Sequence, residues 1–96
     1  LAEFILLRSA EKDLLRLVSS MGDPQTSRPA RRALKRLRDS FAILAEFPGI
    51  GVAVRGDYRQ HAVRFGKYGF VVRYRATDDA ILITRIWHGR QNRPPR

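Results

Sequence analysis

Ninety-six residues, 44% of them apolar, suffice for one small domain with a modest core and leave no room for a second. Nineteen Lys and Arg against nine Asp and Glu give a net charge of +10, a field that draws in nucleic acid, an acidic protein surface or an anionic membrane. With no cysteine the chain can build neither a disulfide scaffold nor a thiolate zinc site, in keeping with the cytoplasm. Its apolar runs are too short to span a bilayer, and none resembles a signal peptide. The chain opens on Leu1 rather than Met, so a few residues are expected ahead of it.

In chain order, "EFILLRS" reads as an opening strand, followed by Ser9 as the expected cap of a first helix. Glu11 and Asp13 fall in its first turn, where the helix dipole favours negative charge. Ala10, Leu14, Leu17, Val18 and Met21 then share one helical face, and Gly22-Asp23-Pro24 closes the segment. Pro29 suits the start of a second helix, in which Ala30, Leu34, Leu37, Phe41 and Leu44 form a stripe. Arg28, Arg31, Arg32, Lys35, Arg36 and Arg38 crowd its other side, and with no aromatic residue among them they read as a solvated face rather than a base-stacking platform. Phe47-Pro48-Gly49 ends this helix, and the stretch through Gly56 is turn-rich.

From Arg59 the period falls to two. Val63 and Phe65 share a face of the first strand, and His61 falls with them as a packing residue. Phe70, Val72 and Tyr74 share a face of the second strand, while the third, Ile81 to Trp87, is apolar on both sides and so suits the sheet interior. The short connections "GKYG" and "TDD" predict an antiparallel meander. The parity that buries Val63, Phe65, Phe70, Val72 and Tyr74 turns Arg64, Arg73 and Arg75 to the opposite face. The expected architecture is α+β: an N-terminal strand, an antiparallel two-helix hairpin and a three-stranded meander, with the helices on one face of a small twisted sheet. Nine bases lie from Tyr58 onward against two acids, Asp78 and Asp79, so the strand half holds most of the positive excess.

"SAEKDLLRL", "RALKRLRDSFAILAEFPGIG" and "GKYGFVVRYRATDDAILITRIWHGRQN" together resemble the RelE/ParE toxin superfamily of type II toxin-antitoxin modules, over nearly the whole chain and closest to its ParE-like branch. The resemblance implies one of two targets. RelE-like members are ribosome-dependent endoribonucleases that cleave mRNA; ParE-like members bind DNA gyrase. The RelE-like pattern carries an arginine two positions after the glycine that opens the second meander strand. That glycine is Gly69, and the position holds Val71, which can neither hold a phosphate nor move a proton.

A nuclease would be left with Arg64, Arg73, Arg85, Arg90 and His88, and would use His88 with Arg64, Arg73 and Arg90. Arginine steadies an anion but is a poor general base, and His88 is the one member of the set suited to proton exchange. No tyrosine or acid follows Asp79 to accompany it. The ending "HGRQN" resembles the ParE-like branch, with Gly89 expected to turn the chain and to aim Arg90, Gln91 and Asn92 outward as donors. Target contacts are therefore expected from Arg85, Trp87, His88, Arg90, Gln91 and Asn92, with Trp87 either packed in the core or serving as an anchor. An antitoxin, the partner implied by the resemblance, would place acidic side chains on Arg64, Arg73 and Arg75 and apolar ones on Ile81 and Ile83, in a toxin-antitoxin hetero-oligomer. No cofactor, metal or membrane is called for. Two other readings stand beside the gyrase binder: the mRNA ribonuclease, and a basic nucleic-acid binder or inactive relic.

Overall fold

Two helical stripes and three alternating strands must share one interior, and their apolar faces can be satisfied together only if both helices lie on the same side of the sheet. A computed structural model, which describes residues 3–90, shows this arrangement. The elements are β1 Glu3–Leu6, α1 Arg8–Ser19, α2 Arg28–Glu46, β2 Val52–Ala53, β3 Tyr58–Val63, β4 Phe70–Ala76 and β5 Ala80–His88. They build a five-stranded sheet in the order β1-β5-β4-β3-β2. β1 runs parallel to β5, and the other pairs are antiparallel. The expected meander is β3-β4-β5; β5 is interior, as its two-sided apolar pattern requires. The two-residue β2 adds an edge strand inside the stretch that reads as turns. Ala33, Leu37, Phe41 and Leu44 of α2 and Ala10 of α1 meet Phe70, Val72, Tyr74, Ile81, Ile83 and Ile86 in the main core. Among the described residues no helix is long and apolar enough to cross a membrane.

α1 starts earlier than a Ser9 cap would allow. Leu7 is its N-cap and supplies no side-chain acceptor; its N–H instead donates to the Ile83 carbonyl at 2.9 Å. Ser9 sits inside the first turn, where its hydroxyl donates to the Thr84 carbonyl at 2.7 Å and ties helix to strand. Ser27 does cap α2, accepting from the Ala30 N–H at 3.3 Å, with Pro29 in the first turn as expected. That turn holds no acid, only Arg28 and Arg31, at the helix end whose dipole favours anions. Each such cation runs against a preference worth about 0.3–1 kcal/mol.

The "FPGIG" exit of α2 is built around one hydroxyl. Tyr74, fully buried on β4, donates to the Pro48 carbonyl at 2.7 Å and accepts from the Gly51 N–H at 2.9 Å. A Cβ at Gly51 would lie 2.7 Å from the Tyr74 ring carbon Cε1, so the close approach needs glycine.

Two features organise β5. The β4–β5 register slips beside Arg73, which pairs with Arg85 while Tyr74 pairs with Ile83, so Thr84 is an extra residue. Its hydroxyl donates to the Arg73 carbonyl at 3.1 Å. The slip reverses side-chain parity: Ile81 and Ile83 point to the helices before it and Ile86 after it, leaving Arg85 and Trp87 on the other face. The second feature is Asp13, 1% exposed. Its carboxylate accepts from Arg85 Nε at 2.8 Å, Arg85 Nη2 at 3.1 Å, the Ile86 N–H at 2.9 Å and Arg16 Nη2 at 2.9 Å. Burial alone would raise its pKa, but the hydrogen bonds from Arg85, the Ile86 amide and Arg16 outweigh that and hold it below the ordinary 3.8.

Asp13→Ala leaves Arg85 and the Ile86 N–H without their acceptor, and chemical denaturation is expected to show a loss of about 3–5 kcal/mol. Stability against pH should fall in two stages. His61, half-buried opposite Val72, has its pKa lowered from 6.5 by burial. The fold therefore prefers its neutral ring, and that contribution is present above about pH 6.5 and lost as pH falls. The depressed Asp13 carboxyl contributes above about pH 3.8, and the contribution is lost as pH drops through its lower folded value. In denaturation series across pH, His61→Phe should remove the upper stage and Asp13→Asn the lower.

Candidate functional site

The helix-free face of the sheet carries Val71, Arg73 and Arg75 from β4 and Leu82, Arg85 and Trp87 from β5, paired across the ladder on either side of the Thr84 bulge. Arg85, its side chain 18% exposed, is bound to Asp13 and thus committed to the fold. The Arg73 guanidinium lies 5.1 Å from the centroid of the Trp87 ring, within cation-π range. Its buried Nε has no hydrogen-bond partner among the described residues. Trp87, 4% exposed, is packed beneath that guanidinium rather than offered as an anchor. Val71 sits opposite Trp87, so the position where the ribonuclease pattern calls for an arginine is an apolar packing position. Arg75 pairs with Asp57 at 3.3 Å. A groove of about 500 Å³ opens on this face, walled by Arg55, Tyr58, Gln60, Arg73 and Thr84; its lining holds neither a carboxylate nor an imidazole among the described residues.

A second cluster forms where β5 ends. Val63, Phe70 and His88 stand in one row across the sheet, and this brings the turn between β3 and β4 against the last strand. The His88 ring lies 5.7 Å from that of Tyr68 and 6.1 Å, edge-on, from that of Phe70. His88 Nδ1 accepts from the Arg90 N–H at 3.1 Å, so the neutral ring carries its proton on Nε2. Arg90 Cζ approaches the Tyr68 centroid to 5.7 Å and Lys67 Nζ to 5.5 Å. The histidine thus has a tyrosine at its side, one that precedes β4 and is invisible to a search of the residues after Asp79. Gly89 holds the cluster together in a way the motif does not suggest. It has no positive φ; instead its N–H donates to the Gly69 carbonyl at 2.9 Å, and a Cβ there would collide with the Tyr68 carbonyl. Close approach of two backbones, rather than a sharp turn, requires the glycine.

The remaining residues named from sequence are spread out. Arg64 follows β3 on the exposed surface, where its carbonyl accepts from Arg36 Nε at 2.8 Å; it faces α2, not Arg73. Ile81 and Ile83 are fully buried under the helices, so no partner reaches them without opening the core. Gln91 and Asn92 lie outside the described residues. Asp13, Lys67, Tyr68, Tyr58 and Gln60 enter only through the structure. Among the described residues no three His, Cys, Asp or Glu side chains come together where they could hold a metal ion.

Comparison with known proteins agrees with this fold. The family model for the ParE toxin of type II toxin-antitoxin system, parDE, matches residues 4–93. Toxin RelE1 of Caulobacter vibrioides is 32% identical over 84 residues, covering 88% of this chain and 89% of that protein. Toxin RelE3 of the same organism is 33% identical over 64 residues, covering 67% and 70%. A solved chain of the chromosomal ParDE TA system from P. aeruginosa superposes with a TM-score of 0.67 over 91% of this chain and 95% of that one, at 18% identity, a likeness of fold. With its helix pair, its five-stranded sheet and a family match from the first strand to beyond the last, this chain belongs to the ParE toxin family of type II toxin-antitoxin systems, within the RelE/ParE superfamily.

Proposed function

We propose that the chain acts by adhesion, binding DNA gyrase, and that a cognate acidic antitoxin neutralises it. One observation carries this reading: on the helix-free face Arg85 is held by Asp13, and the groove beside it holds neither a carboxylate nor an imidazole to form an acid-base couple among the described residues. Cleavage through a ribose 2′-hydroxyl needs a group to accept a proton and another to give one. Contacts with the target are assigned to His88 and Arg90, whose cluster stands at the sheet's end, and to Gln91 and Asn92 beyond it. The antitoxin is assigned to Arg64, Arg73 and Arg75. An extended segment of it can pair with the free edge of β2, beside exposed Phe47, Ile50 and Val54 and the 71%-exposed Val52.

A second reading has its own support. Tyr68 beside His88, with Lys67 and Arg90 near, supplies a histidine, a phenol and two cations of the kind an mRNA endoribonuclease employs. Two assays on purified toxin separate the readings: gyrase supercoiling, and message integrity in a reconstituted translation system. The expected result is stalled supercoiling with intact message. Message cut on the ribosome, with cutting lost in His88→Ala and weakened in Tyr68→Phe, would reverse the assignment.

The antitoxin contact should be salt-sensitive. Raising ionic strength from about 0.1 to 1 M shortens the screening length from about 10 to 3 Å, and binding to the antitoxin is expected to weaken about tenfold or more, mainly through slower association. An unchanged affinity in surface plasmon resonance would refute the electrostatic part.

A further inference from the structure

The basic side of α2 takes part in neither of the sites above, though Arg64, assigned to the antitoxin, borders it. Arg28, Arg31, Arg32, Lys35, Arg36 and Arg38 are all exposed, opposite the buried stripe through Ala33, Leu37, Phe41 and Leu44. One carboxylate relieves them: Asp39, at 2.9 Å from Lys35. The first turn repeats the sign of the helix dipole instead of opposing it, a local preference broken with no compensating acid. Arg36 Nε, fixed on the Arg64 carbonyl at 2.8 Å, holds the end of β3 against the helix. Between them lies a groove of about 440 Å³, bordered by Arg32, Lys35, Arg36, Asp39, Arg64 and Phe65.

We propose that this face of α2, with Arg64, is a binding surface for the sugar-phosphate backbone of duplex DNA. Dipole and guanidinium groups add at the helix start, where an anion is favoured twice over. A protein partner would need an apolar anchor to bury, and the stretch that carries the cations, Arg28 to Arg38, exposes no large apolar side chain; exposed Ile43 lies beyond it. Single-stranded nucleic acid would need free rings for base stacking. The groove's one ring, Phe65, is already stacked on Phe70 with centroids 5.4 Å apart. A duplex backbone asks only for a row of cations. The cations from Arg28 to Arg38 of α2 extend over about 15 Å, or about four base pairs. The surface reads no sequence, and it is separate from the His88 cluster, so it does not depend on the proposed target.

The test is fluorescence anisotropy with two labelled duplexes of unrelated sequence, about 20 bp each, in salt from about 50 to 200 mM. Wild type is compared with Arg32→Gln/Lys35→Gln on α2 and with Arg8→Gln/Lys12→Gln on α1. Both pairs remove the same charge from exposed positions, and thermal melts by circular dichroism check the fold. Wild type should bind both duplexes alike. The α2 pair should weaken binding about tenfold and flatten the log-log salt slope by about two, while the α1 pair stays within about twofold of wild type. Equal losses in the two pairs would reduce the effect to net charge and overturn the proposal. So would tighter binding, with the same dependence on α2, of single-stranded RNA or of a polyglutamate peptide.

Discussion

Asp13 is the constraint on which the rest of the architecture depends. A carboxylate so completely removed from water is tolerable only when its lone pairs are filled, and here four donors fill them, three of them from β5. The contact fixes α1 against the strand that carries both the bulge and the His88 end. It also decides what Arg85 can do. A guanidinium held by Nε and Nη2 to a buried partner is a beam of the fold, no longer a cation available for a phosphate or a target surface.

The Thr84 bulge is the second determinant, and it works through the first. Without an extra residue, Ile81, Ile83, Arg85 and Trp87 would share one face, and a charged group would be driven between sheet and helices. The slip returns Ile86 to the core and delivers Arg85 and Trp87 to the helix-free side. Ser9 and Thr84 lock the geometry through their hydroxyls, one onto β5 and one onto β4. Trp87 then shelters under Arg73, beside a groove whose lining holds neither a carboxylate nor an imidazole among the described residues.

Much of the fold was legible in the residues because it rests on periodicity, a local property. The α2 stripe, the alternation Phe70-Val72-Tyr74 and the "GKYG" turn each announce themselves within a few positions. The site was less legible because it rests on long-range pairings. Asp13 near a helix start reads as a partner for the dipole; the arginine it binds is 72 positions away. The same spacing rule that correctly buried Tyr74 cannot foresee a bulge, so neither the parity change that sends Arg85 and Trp87 away from Ile86 nor the full burial of Ile81 and Ile83 was legible. Tyr68 lay in a stretch that read only as a connection, and its nearness to His88 follows from the strand register alone. β2, two residues long, offers no pattern to detect.

The account comes down to whether the Arg85 charge serves the fold or the target. The neutral pair Asp13→Asn/Arg85→Gln keeps an acceptor for the Ile86 N–H and a donor toward position 13 while removing both charges. The decisive measurement is growth arrest by this double variant, expressed without antitoxin, alongside its melting curve. If Arg85 is structural, a folded double variant still arrests growth as wild type does. A double variant that melts cooperatively near the wild-type temperature yet leaves cells unharmed would contradict the account and return Arg85 to the functional surface.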